Sequence, residues 1–263
     1  MHDYWARCLF ENWGIQATLT ALHGEYDLNF KAETASGERY LLKVMRPGCD
    51  PDFVSMQCLA IQHVHRHSDV SNVPEIVLSS SQQDFVISPD DNGVDRILWV
   101  NRFIEGTVYA HFNPKCNQLI DNLGRSIAQL HHSLSGFEHK WLQRSFKWNL
   151  LESSWIGDHF SAVTDVHRQE ILENILSNFN TILPALKALP STPIHNDIND
   201  HNLLASRTLT SDSVISGIVD FGDMCAAPRV CEIAIAGAYI VMDHPHPERA
   251  LQWLVAPIMT SRR

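Results

Sequence analysis

A chain of 263 residues with 20 basic and 30 acidic side chains carries a formal charge of −10, and 44% apolar content is that of a folded globule. The acidic balance shows no basic face and argues against a nucleic-acid binder, and no run approaches the ~18 apolar residues of a membrane helix. Six scattered cysteines without a C-x-x-C pair read as reduced, mostly buried thiols, and Met1-His2-Asp3-Tyr4-Trp5 lacks the charged start of a secretory leader, so the expected compartment is the cytoplasm.

Residues 15–23 and 26–34 alternate apolar and polar positions around Gly24, which predicts a hairpin. A third strand, 39–45, follows the turn Ser36-Gly37-Glu38 and stops at Arg46-Pro47-Gly48. Pro51 and Asp52 open a helix to about residue 67, with Phe53, Met56, Leu59, Ala60 and Val64 at three- and four-residue spacing. Strands at 75–80 and 84–88 precede a strand at 96–104, which ends at Glu105-Gly106. Beyond Gly106 the pattern turns helical. Leu119, Leu123, Ile127, Leu130 and Leu134 line one face of a helix over 117–134, and a second spans 163–183 until Pro184. A polar stretch over 190–204 leads into a ribbon of 202–206 and 216–220, then an apolar helix from 229 to about 241. These elements predict an α+β chain with a small β-rich lobe, a connecting strand and a larger helical lobe.

The densest polar string is His195-Asn196-Asp197-Ile198-Asn199-Asp200-His201-Asn202, followed sixteen residues on by Ile218-Val219-Asp220-Phe221-Gly222-Asp223. Both are apolar edges delivering a carboxylate at a turn. Phosphoryl transfer to a hydroxyl uses such a set: one carboxylate receives the hydroxyl proton, while an amide and a second carboxylate hold Mg²⁺ on the nucleotide phosphates. Asp197 is the candidate base, and Asn202 and Asp220 are the candidate metal ligands.

His195-x-Asp197-x-x-x-x-Asn202 with Asp220-Phe221-Gly222-Asp223 resembles the catalytic and metal-binding motifs of the aminoglycoside phosphotransferase and choline kinase superfamily, distant relatives of protein kinases. Gly24-Glu25-Tyr26-Asp27-Leu28-Asn29-Phe30, Leu42-Lys43-Val44, Phe103-Ile104-Glu105-Gly106-Thr107 and the run 123–131 are most similar to its hydroxylysine kinase group. The resemblance covers about residues 15–245. It implies a two-lobed protein-kinase-like fold: an antiparallel nucleotide-binding lobe over 1–99, a hinge at 100–106 and a helical lobe over 107–263 with shortened C-terminal helices. It further implies that the loop carrying Gly24, Asp27 and Asn29 covers the phosphates of ATP or GTP, with Mg²⁺, and that Lys43 reaches the α- and β-phosphates. Val100 to Phe103 would receive adenine, and His195 would steady the catalytic loop. The implied acceptor is a small hydroxylated amine resembling hydroxylysine, choline or an aminoglycoside.

Three departures stand out. Kinase-like folds place a Glu on the helix after the lysine strand, yet residues 53–67 contain no acid; Ser55 stands there, with Gln57 as a weaker partner for Lys43. Asn196 replaces the usual Gly, a substitution that Asn's tolerance of left-handed backbone accommodates. The chain also stops soon after the helix following Asp220, so the acceptor pocket is expected to be incomplete. The rival reading is a non-catalytic nucleotide-binding or regulatory domain, or a fragment of a larger protein. A metal hydrolase built on His195, Asp197 and His201 is a weaker alternative, because the segment is too polar for a helix. Asp200, Asp223, Glu232 and Asp158 are expected near the loop mouth, where carboxylates attract a cationic amino-alcohol. Trp148 and Trp155 are candidates for stacking on a substrate, but the expectation is that they lie in the core.

Overall fold

The computed structural model describes residues 2–67, 72–242 and 244–260. It opens with α1 (His2–Trp13), an element the sequence reading lacks, although Trp5, Cys8, Leu9 and Trp13 recur at helical spacing and are buried. Gly14, at φ 69°, closes it by donating its N–H to Phe10 O at 2.8 Å. Strands β1 (Ala17–Leu22), β2 (Leu28–Thr34) and β3 (Arg39–Val44) form a meander, and α2 (Pro51–His67) follows. Two short strands, β4 (Ile76–Val77) and β5 (Phe85–Pro89), lie along one edge of β6 (Asp95–Arg102), whose other edge pairs with β3. Every pairing in this sheet is antiparallel.

Strand alternation decides which residues meet the second lobe. Tyr40, Leu42 and Val44 point to one face, where they pack with α1, Phe30 and Leu98. Met45 points to the other and joins α2 and the helical lobe in the main core; Lys43, two residues before it, shares that side. The strand of the hinge ends at Arg102, earlier than the expected residue 104.

The larger lobe contains β7 (Thr107–Val108), α3 (Asn117–Ser133), a 3₁₀ segment (Leu150–Ala162), α4 (Val166–Lys187), β8 (Thr192–Ile194), β9 (Leu203–Arg207), β10 (Ser213–Ile218), β11 (Cys225–Ala227), α5 (Arg229–Val241) and α6 (Pro247–Thr260). Strands β10, β9 and β7 form one sheet, while β11 and β8 form a two-stranded ribbon. Pairing of Thr107 with Ala205 and of Val108 with Leu204 sets the hinge exit beside the catalytic segment.

Three details depart from expectation. β10 covers 213–218 and not 216–220, because a register shift between Ile215 and Gly217 absorbs a residue. α4 runs through Pro184 to Lys187, the ring falling within its last turn. α6 was not expected at all; it packs on α3 so closely that a Cβ on Gly124 would sit 2.2 Å from Leu254 O. Glycine is therefore the residue that permits this helix pair.

Candidate active site

The candidate site is built from two loops that hold each other. β8 delivers His195, whose ring is fully buried and lies edge-on to Phe221 at 4.8 Å. Its Nε2 meets Val219 O at 3.1 Å, and its Nδ1 accepts the N–H of Asp197 at 3.3 Å. Through these two contacts the ring bridges the two loops, with Nε2 facing a carbonyl and Nδ1 facing an N–H. Val219 in turn donates its N–H to Asn202 O at 2.9 Å. The catalytic segment and the start of the second motif are thus bonded in both directions.

Asp197 is held by two side-chain amides. Asn199 Nδ2 donates to Oδ1 at 2.9 Å and Asn202 Nδ2 to Oδ2 at 2.6 Å. Burial raises the Asp197 pKa above the ordinary carboxylate value despite these donors, which makes it a better proton acceptor. With its nitrogen committed to Asp197, Asn202 has its amide oxygen left for a cation.

Asn196 sits at φ 67° and Asp220 at φ 67°, ψ 75°, both in the left-handed region that Asn and Asp enter at lower cost than most residues. Asp220 accepts from Lys43 Nζ at 3.2 Å, and that ammonium holds its carboxyl below the ordinary range. Lys43 is buried with its Nζ 5.2 Å from the centre of the Trp99 ring, so it is ordered, although no acid on α2 supports it. Its partner comes from the opposite lobe, 177 residues away in sequence. Gln57 is buried beside this pair, donating to Phe53 O at 3.3 Å while its Oε1 has no partner.

Asn29 stands directly opposite Lys43 across the β2–β3 ladder, hence on the same face, and its Oδ1 is buried without a partner. Gly24 is required where it is: a Cβ there would lie 2.3 Å from Asp27 O and 2.6 Å from Asn29 Nδ2. Asp27 Oδ1 accepts the Arg46 N–H at 2.6 Å, which ties this loop to the chain just after β3. Val100 is fully buried in the N-terminal core opposite Leu42, so its side chain lies on the face of the sheet away from Lys43. Phe103 is only partly buried, with the Lys31 ammonium 5.7 Å from its ring centre.

Glu232 overturns an expectation. It is not at the loop mouth but completely buried on the first turn of α5, where Oε2 accepts the N–H of His195 at 2.6 Å and Oε1 that of Asn196 at 2.9 Å. His131 Nε2 lies 3.8 Å from the same carboxylate. Sequence offered one clue, an acid inside the most apolar helix, where burial without partners is prohibitive. Arg144 was missed altogether. Its guanidinium donates to Trp141 O at 3.1 Å, Met224 O at 2.6 Å and Gly222 O at 2.9 Å, clamping the turn after Asp220. Asp223 has its pKa pushed up to about 6, first by burial and then by the charges of Asp197 and Asp220.

Trp148 is 58% exposed, contrary to a core role, and meets Trp155 edge-on at 6.1 Å. Asp158 lies exposed on the 3₁₀ segment. His201 faces His111 at 6.0 Å, while His195 faces Phe221, so the two histidines of the hydrolase alternative do not share a centre.

Known proteins resemble this chain in sequence and in fold. The chain is 27% identical over 244 residues to the hydroxylysine kinase of Mus musculus, a match that covers 84% of this chain and 64% of that protein. It thus spans slightly under two thirds of that relative. A microcompartment-associated aminopropanol kinase superposes with a TM-score of 0.77 at 18% identity, over 98% of this chain and 81% of its own. An amicoumacin kinase in complex with AMP-PNP, Ca²⁺ and its ligand gives 0.66 at 15% identity, over 93% and 73%. Residues 18–257, which contain both loops and Lys43, match the phosphotransferase enzyme family, and to that family the chain belongs.

Proposed function

We propose that the chain is a small-molecule kinase that moves the γ-phosphoryl group of ATP or GTP to a hydroxyl of a small amine-bearing alcohol of the hydroxylysine kind. The observation that carries this reading is the triad of Asp197, Asn202 and Asp220, joined through hydrogen bonds across two loops and faced by Lys43. The oxygens of Asp220 and Asn202 form the hard donor set that suits Mg²⁺ with phosphate ligands, and Asp220 Oδ1 is already paired with a cation, the Lys43 ammonium. When bound, Mg²⁺ would supply neutralisation of phosphate charge. Lys43 would exchange Asp220 for the α- and β-phosphates, with Asn29 beside it and the Gly24 loop above. Asp197 takes the proton of the acceptor hydroxyl as its oxygen bonds to phosphorus; the bond to the β-phosphate oxygen breaks and the nucleoside diphosphate leaves. Asp223 and Asp200 would favour a cationic acceptor. Support for the nucleotide comes from the amicoumacin kinase neighbour, which holds AMP-PNP and Ca²⁺.

The test pairs Asp197→Asn with the unaltered protein, measuring the Mg²⁺-dependent melting shift with ATP and GTP and phosphorylation of hydroxylysine, choline and aminoglycosides. The variant is expected to keep the shift and lose turnover by at least a hundredfold. Turnover near the original rate would remove Asp197 as the base. A nucleotide shift without turnover on any acceptor, in the unaltered protein, would select the non-catalytic binding domain instead.

A further inference from the structure

Asp220 is the proposed metal ligand, yet its own backbone is in the left-handed region and the 3₁₀ turn Phe221–Asp223 that follows has no capping side chain of its own. The question is what fixes this turn. Within it, Met224 N–H meets Phe221 O at a long 3.4 Å. The stronger constraint comes from outside. Arg144 sends Nη2 to Gly222 O and Nη1 to Met224 O, and a further Nη1 bond to Trp141 O ties the guanidinium to the connection between α3 and the 3₁₀ segment. The guanidinium packs over the Phe146 ring at 4.2 Å, and Met56 Sδ of α2 lies 3.9 Å from Nη1. A planar fork with charge-assisted bonds to two alternate carbonyls of one turn sets both the position and the pitch of that turn.

We propose that Arg144 is a positioning residue that holds the Asp220 turn in its cation-binding geometry. This rests on the kinase reading above for its consequence, though the clamp itself does not. The Arg144 contacts named above are three backbone carbonyls, a thioether sulfur and an aromatic ring.

The experiment compares the unaltered protein with Arg144→Lys and Arg144→Met. The first readout is the Mg²⁺ concentration at half of the nucleotide-induced melting shift. It is expected to rise roughly tenfold or more in Arg144→Met, within the 10–100-fold range for partners that orient metal ligands, and less in Arg144→Lys, which keeps charge without the fork. A midpoint unchanged in both variants would overturn the proposal, even if both melted earlier, because that is what a purely structural arginine would give. The second readout needs no nucleotide: amide exchange across residues 219–224 should quicken in Arg144→Met while the β9–β10 amides stay protected. Exchange in that turn equal to the unaltered protein would reject the clamp. If the unaltered protein shows no Mg²⁺-nucleotide shift, the kinase reading fails and the exchange result alone decides the clamp.

Discussion

Replacing Glu232 by Ala would expose how much of the catalytic loop depends on a residue that never meets substrate. The carboxylate accepts two peptide N–H groups of consecutive residues, His195 and Asn196, inside the core and out of reach of water. Its removal leaves two buried donors unpaired at about 1–3 kcal/mol each, and the small cavity adds to that. Relief from burying the carboxylate offsets part of the loss, so a net cost of about 3–4 kcal/mol is expected. For a chain of this size each kcal/mol lowers the melting temperature by about 2–4 °C, so calorimetry should show a fall of roughly 6–16 °C. Glu232→Gln keeps the shape and one acceptor but turns an NH₂ group on the second N–H, and should fall between the two. If Ala and Gln both melt within about 2 °C of the unaltered protein, Glu232 does not bear on the loop. The same variants should lose phosphotransfer at temperatures where they remain folded, because Asn196 would no longer be held in its left-handed conformation beside Asp197.

Other outcomes are equally specific. Gly124→Ala places a methyl 2.2 Å from Leu254 O, so α3 and α6 must part; a loss of about 2 kcal/mol or more should appear in urea unfolding, and an unchanged midpoint would mean the helices slide at no cost. Asp223 has a folded pKa raised to about 6, above its unfolded value, so the folded state binds its proton more tightly. Its contribution to stability is therefore present at low pH and lost as pH rises through 4–6. Asp223→Asn should gain stability relative to the unaltered protein across that window, and parallel melting curves against pH would refute the assignment.

The hydrogen-bonded pairing of the candidate base with its amide neighbour was legible in sequence because its parts are local. Asp197 and Asn202 share one loop, and their bond closes over five residues. Asp220 announced itself as a carboxylate at the end of an apolar strand. The supporting residues were not legible in the same way. Glu232 reaches back 37 residues, Arg144 reaches forward 80 to Met224, and Lys43 pairs across 177, contacts that leave no periodic trace in the chain. Two-residue strands such as β4 and β7 fall below any alternation signal, and β8 and β11 are only three residues each. α1 and α6 were readable in principle, from Trp5, Cys8, Leu9 and Trp13 and from Ala250, Leu254 and Pro257. Val100 shows another limit: order along the chain placed it near the hinge, whereas its burial follows from the face of β6 that packs with Leu42, Leu98 and α1.

The β8–β11 ribbon pairs Ile194 with Cys225, one residue before His195 and five after Asp220. Together with the reciprocal bonds between Val219 and the segment 195–202, this joins the proposed base and cation ligands into one hydrogen-bonded block, which Lys43 meets from the other lobe through its 3.2 Å contact with Asp220. A separation of the lobes would lengthen that contact and leave the spacing of Asp197 from Asp220 unchanged. On the proposed kinase reading, a nucleotide would then enter and leave without dismantling the groups that use it.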